Sequence, residues 1–232
     1  MDKNTAKMSS LSVRLGFWSA LLFVIMGVGY GLGMGIFFMK YPVPTWSNIE
    51  RYADFMKSAP QLFFSLCQIT AFLSGIIFIV LLCSIYDYAQ AEKKILTRIG
   101  MCFGTIFITL ASIAYFVQFT VVPQNIVTGN LSGLEQFVEL NTRSFIASIV
   151  LLGWGVFLGL TSFFLAPVFS NGKLEKFIKW FFILTGIFCI INTIGYMLQI
   201  VTLSLVSTGI FNITLTSACI LLCILFRKLR ST

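Results

Sequence analysis

The chain has 232 residues, 58% hydrophobic and only 10% charged, with 25 Phe, no His and a formal charge of +8. Soluble domains average about 45–50% apolar and about 25% charged residues, and disordered chains combine low hydrophobicity with high charge. Both classes are excluded, which leaves a polytopic membrane protein.

Crossing roughly 30 Å of hydrocarbon takes about 20 apolar residues of helix. Six runs meet that length, at about residues 15–39, 62–86, 99–122, 145–169, 180–201 and 207–226. The expected fold is therefore all-α, one domain of six transmembrane helices over residues 1–232. The division between the last two runs rests on residues 204–209, the only candidate turn there, and five helices with one long tilted span is the alternative. Run one is too long for a cleaved signal sequence and leads directly into Lys40, Tyr41 and Pro42. It is expected to stay as a helix.

Run one carries Gly27, Gly29, Gly31, Gly33 and Gly35. On a helix, positions 27, 31 and 35 share one side and 29 and 33 lie about opposite. Both sets have the G-x-x-x-G spacing that lets helices approach closely in lipid, so the first helix is expected at the centre, with neighbours on two sides. Run four has a small-residue face of Ser148, Gly155, Gly159 and Ser162, read as a packing seam, and ends in Ala166-Pro167, where Pro stops or kinks the helix.

Orientation follows from Lys and Arg in the short connections. One side holds Lys3, Lys7 and Arg14, then Lys93, Lys94 and Arg98, then Lys173, Lys176 and Lys179, then Arg227, Lys228 and Arg230; the other holds Lys40, Arg51, Lys57 and Arg143. The richer side is the cytoplasmic one, so both termini are expected inside. The basic balance reads as topology and attraction to anionic lipid, not as nucleic-acid binding. The outer connections at residues 40–61 and 123–144 are long enough for two short interfacial helices. Ser47 and Glu50 fit a capping box, and Leu134, Phe137 and Val138 recur at helical spacing.

Six Cys, at 67, 83, 102, 189, 219 and 223, lie in apolar stretches with no C-x-x-C spacing. They read as packed free thiols, with neither a metal site nor a cofactor implied. No charged residue falls in the middle of a run, which argues against proton-coupled pumping and carboxylate-pair catalysis. No catalytic residue is expected.

Uncharged polar residues do recur on faces: Gln61, Ser65 and Gln68; Ser112, Tyr115 and Gln118; Thr185, Asn192, Tyr196 and Gln199; Asn212 and Thr216. Lipid cannot hydrogen-bond them, so they point into the bundle. Two readings stand, hydrogen bonding between helices or a polar-lined cavity. The concentration of Gln68, Tyr115, Gln118, Tyr196, Gln199 and Asn212 in the outer half favours a pocket, lined by Gln68, Tyr115, Gln118, Asn192, Tyr196 and Gln199. Arg143 would sit at its mouth, where a planar guanidinium suits a carboxylate or phosphate; pairing with Glu139 is its alternative role.

One ordered series of residues is familiar. Tyr115 and Gln118 precede Val121-Val122, a loop with Gly129, Gly133 and Leu134, then Asn141, Ser144-Phe145-Ile146, Gly153-Trp154 and Leu165-Ala166-Pro167-Val168-Phe169. This stretch resembles an uncharacterised family of bacterial six-pass inner-membrane proteins, a domain of unknown function. The resemblance implies six helices and a bacterial plasma membrane, and supplies neither an activity nor site residues.

The functional expectation is an integral membrane protein, not an enzyme, with an outward-facing pocket for a small or lipid-like ligand and a sensor or accessory role. Membrane lipid is the expected partner. A small-solute transporter or channel is the alternative.

Overall fold

The computed structural model of the protein describes residues 8–42 and 45–230. Lys3 and Lys7 of the first positive cluster lie outside the described residues. The helices are α1 (Ser10–Lys40), α2 (Ile49–Ser58), α3 (Gln61–Tyr88), α4 (Lys94–Phe119), α5 (Val121–Thr128), α6 (Phe145–Leu151), α7 (Leu158–Leu165), α8 (Gly172–Met197) and α9 (Val201–Arg230). A π-helical segment, Leu152–Phe157, joins α6 to α7. Six helical stretches are long and apolar enough to cross a membrane. The described residues form an all-α polytopic bundle with no strand.

The spans pack in chain order around a ring. α1 lies on α3, α3 on α4, α4 on the π segment and α7, α7 on α8 and α8 on α9, and α9 closes back on α1. Short connections favour such nearest-neighbour antiparallel packing. Aromatic rings fill the interior. Phe23 meets Phe78 at 5.0 Å between centroids, Phe78 meets Phe107 at 6.0 Å, Phe107 meets Trp154 at 4.9 Å and Trp154 meets Phe211 at 6.0 Å. This chain of contacts runs through α1, α3, α4, the π segment and α9. Such pairs contribute about 0.5–1.5 kcal/mol each beyond area burial.

α1 differs from its expected central place. It packs mainly on α3 and α9, and a Cβ added at Gly27, Gly29, Gly31 or Gly35 would meet nothing within 4 Å. Of the five glycines from 27 to 35, Gly33 is the close contact, where a Cβ would lie 2.7 Å from Cys67 Sγ. Outside that set, α1 closes on α9 at Gly16, where a Cβ would lie 2.7 Å from Phe226 Cζ. In span four the glycines do form a seam. A Cβ at Gly159 would press on Cys189 Cβ at 3.2 Å, and one at Gly155 would collide with Thr193, both on α8.

The last two spans divide at Leu198–Ile200, earlier than the expected turn at residues 204–209. The Ile200 N–H donates to Gly195 O at 2.8 Å and the Gln199 N–H to Tyr196 O at 3.0 Å. These paired bonds make a Schellman C-cap, with Gln199 in the left-handed region at φ 58°. Gly195 permits the tight return, since a Cβ there would lie 2.9 Å from Ser204 N. The usual signal, a glycine at the left-handed position, is missing, which is why the turn is invisible in the sequence.

One end of the bundle is capped by α2, α5 and the 129–144 loop. Buried Ile49, Tyr52, Ala53 and Met56 of α2 join Val122, Ile126, Leu134 and Val138 in a second apolar cluster with Phe37, Phe64 and Cys67. The N-cap of α2 is Asn48, whose Oδ1 accepts from Arg51 N at 3.0 Å. The expected Ser47 stands one residue too early. Phe137, grouped with Leu134 and Val138 by spacing, is 41% exposed, because the loop there is a single 3₁₀ turn, Leu134–Gln136.

Candidate functional site

The candidate site lies at the capped end, under the 129–144 loop. That loop leaves α5 through Gly129 at φ 74° and turns again at Gly133, φ 76°, positions where only glycine is unstrained. Its own side chains then hold it. Asn141 Nδ2 donates to Glu135 O at 2.9 Å, Ser144 Oγ to Val138 O at 2.8 Å, and Ser144 caps α6 by accepting from Ala147 N at 3.1 Å.

Gln118 on α4 clasps the loop from below. Its Nε2 donates to Phe137 O at 2.7 Å, and its Oε1 accepts from Glu139 N at 3.3 Å. Glu139 is thereby placed over α1, α3 and α4. Its carboxyl is hydrogen-bonded by the Gln68 side chain and lies within electrostatic reach of Tyr30, Tyr52 and Tyr115. The rings of Tyr30 and Tyr115 meet edge to face at 5.9 Å. Burial pushes the Glu139 carboxyl up to about 7, and the Gln68 hydrogen bond pulls it partly back. Burial likewise raises the Tyr52 hydroxyl above its ordinary value, with the Glu139 charge adding to the effect.

Two polar atoms here have no hydrogen-bond partner although both are buried, Gln68 Oε1 and the Tyr52 hydroxyl. Buried polar atoms are nearly always paired, and an unpaired one costs about 1–3 kcal/mol. Both atoms can accept from a donor brought by a ligand. Tyr52 also lines a small concavity of about 10 Å³ with Trp46, Arg51 and Leu140. That volume suits one water-sized group. A larger cleft of about 570 Å³ adjoins it, bounded by Trp46, Asn48, Glu50, Leu131, Ser132 and Glu135.

The seven residues expected to line one pocket fall into separate settings. Gln68, Tyr115 and Gln118 converge beneath the loop at Glu139. Asn192 instead ties α8 to α9, its Oδ1 accepting from Ser204 Oγ at 2.6 Å and Thr208 Oγ1 at 3.1 Å. Tyr196 donates its hydroxyl hydrogen to Thr142 O, at the far end of the same loop. Gln199 is exposed in the α8–α9 turn. Arg143 is exposed and, among the described residues, forms no ion pair with Glu139; its N–H donates to Asn141 Oδ1 at 3.1 Å. The expectation of one common lining is corrected on this point, because the early end of α8 puts Tyr196 and Gln199 at the bundle's edge.

Glu139 itself was visible only as a partner for Arg143. The one hint of its burial is its place between Val138 and Leu140 in an otherwise polar loop. Among the described residues no three His, Cys, Asp or Glu side chains group in a way that could hold a metal. The six cysteines are free thiols.

The fold and composition define the class as a multi-pass membrane protein of six apolar helices. Comparison of the chain with models of known protein families, with curated proteins and with solved structures finds no match.

Proposed function

We propose that the protein is a non-enzymatic plasma-membrane protein that binds a small or lipid-like ligand at its capped end, facing away from the cytoplasm, in a sensor or accessory role. The observation that carries this reading is Glu139, held beneath a braced loop beside the unpartnered Gln68 Oε1 and Tyr52 hydroxyl. The aromatic filling of the ring supports binding at one end over passage through the middle. The resemblance of residues 115–169 to bacterial six-pass proteins supports the plasma membrane.

The excess of Lys and Arg at the opposite end supports cytoplasmic termini. Labelling with a membrane-impermeant maleimide tests this in intact cells. Ser132→Cys is expected to react and Lys94→Cys to stay silent; the reverse pattern overturns the orientation.

Native mass spectrometry of the protein released from nanodiscs tests ligand binding. A retained small molecule or lipid is expected with the wild type and is expected to be lost in Gln68→Leu. Equal retention by both would sink the reading.

Transport of a small solute is the second reading. The π segment favours it, because π-bulges concentrate at functional sites and this one presents Trp154 with an unpartnered Nε1. Solute flux into proteoliposomes, abolished by Trp154→Phe, would establish it in place of the first.

A further inference from the structure

We infer that the Glu139 site is built for a primary ammonium group, carried by a small amine or by an aminophospholipid headgroup. This deepens the ligand-binding reading and rests on it.

The site offers acceptors and one negative charge. Glu139 supplies the carboxylate, Gln68 an amide oxygen and Tyr52 a hydroxyl oxygen, and the last two are buried without partners. An ammonium group carries three N–H donors on a compact charge, which matches three acceptors of this kind. The titratable groups within electrostatic reach of the carboxyl are Tyr30 from α1, Tyr52 from α2 and Tyr115 from α4, with the Gln68 amide from α3 hydrogen-bonded to it. None of these is a cation; Arg51 lines the small concavity with Tyr52. A half-buried carboxylate with no counter-charge beside it is costly, and an arriving cation relieves it.

The surroundings suit a cation as well. The Tyr30–Tyr115 pair and the Trp46–Tyr52 pair, 5.8 Å between centroids, lie at the same end, and aromatic rings attract ammonium groups. The concavity on the outer side of Tyr52, which Glu139 and Gln68 do not line, has room for one water-sized group, enough for a primary ammonium passing Tyr52 and too little for a bulky quaternary one. The adjoining cleft carries Glu50 and Glu135 on its walls, a sign of charge that draws cations inward. Arg51, on the wall of the small concavity, is placed to meet the phosphate of a zwitterionic headgroup. A divalent metal ion fits less well, since no cluster of ligating side chains is present among the described residues.

The test uses the full chain in nanodiscs of phosphatidylcholine, which has no N–H donor, at about pH 8.5, where the carboxyl is ionised. Ethanolamine is titrated in one arm, and phosphatidylethanolamine replaces the lipid in the other. A saturable rise in Tm is expected, with the responding arm naming the source of the amine. Choline and NaCl at equal concentration are expected to give none. Glu139→Gln is expected to fold and lose the response. Gln68→Leu, as a second variant should Glu139→Gln not fold, is expected to raise the half-maximal concentration about tenfold. Silence in both arms, an equal response to choline, or an unchanged response in Glu139→Gln would overturn the proposal, as would a Tm that follows pH alone, with the proton as sole occupant. If retention of a ligand in native mass spectrometry persists while the amine response is absent, the ammonium assignment falls and the binding reading stands.

Discussion

Gln118 accepts the Glu139 N–H at 3.3 Å and, through the other end of the same amide, donates to Phe137 O at 2.7 Å. A side chain from the middle of the chain thus completes the backbone hydrogen bonding of a loop about twenty residues later, and holds Glu139 in place. Gln118→Leu strips both bonds at once. A buried backbone group left unpaired costs about 1–3 kcal/mol, so Tm is expected to fall and exchange at the Glu139 amide to speed up. An unchanged exchange rate would show that the loop braces itself without Gln118.

The glycines of α1 separate by position. A Cβ at Gly31 meets nothing within 4 Å, whereas one at Gly33 lies 2.7 Å from Cys67 Sγ. Gly31→Ala is expected to stabilise by roughly 0.5–1 kcal/mol, the usual gain from removing a helical glycine. Gly33→Ala forces α1 and α3 apart at a cost of about 1–3 kcal/mol. Thermal unfolding in detergent measures both; equal effects would contradict the placement of α1.

Gln199 holds a left-handed backbone, φ 58°, at the cap where α8 turns into α9. That conformation costs an L-residue roughly 1–2 kcal/mol, and glycine adopts it without strain. Gln199→Gly is expected to raise stability by about 1 kcal/mol. A loss of stability would mean that the exposed Gln199 side chain contributes a contact outside the bundle.

Glu139 also sets a pH dependence. Its folded value is raised to about 7 from 4.5, so between those values the folded chain keeps a proton that the unfolded chain has released. Stability is highest below about pH 4.5, declines as pH rises towards 7 and then levels, by on the order of 3 kcal/mol at most. Glu139→Gln is expected to flatten that part of the Tm profile. A profile identical to wild type would place the carboxyl in solvent.

Asn192 is the opposite case to Gln68. It already accepts two hydroxyl hydrogens, from Ser204 and Thr208 on α9. Asn192→Leu is expected to cost about 1 kcal/mol, since interhelical hydrogen bonds in membranes average about 0.6 kcal/mol each, and to leave ligand retention intact. Loss of retention with stability unchanged would return Asn192 to the binding site.

The sequence by itself determined the class and the number of spans, because six runs of about twenty apolar residues have no stable alternative to helices in lipid. It also determined that Gln68, Tyr115, Gln118 and Asn192 face inward, since one helical period fixes which side chains share a face. What those residues meet was decided only by tertiary structure. Gln68 and Asn192 are both buried amides on apolar helices, yet one faces a carboxyl and the other two hydroxyls. The difference comes from a loop returning over α3 and α4 and from a turn made by Gln199 instead of glycine. Periodicity describes one helix at a time. Partners across a ring of six depend on where each connection ends, and a shift of a few residues in a turn carries a side chain from the interior to the edge.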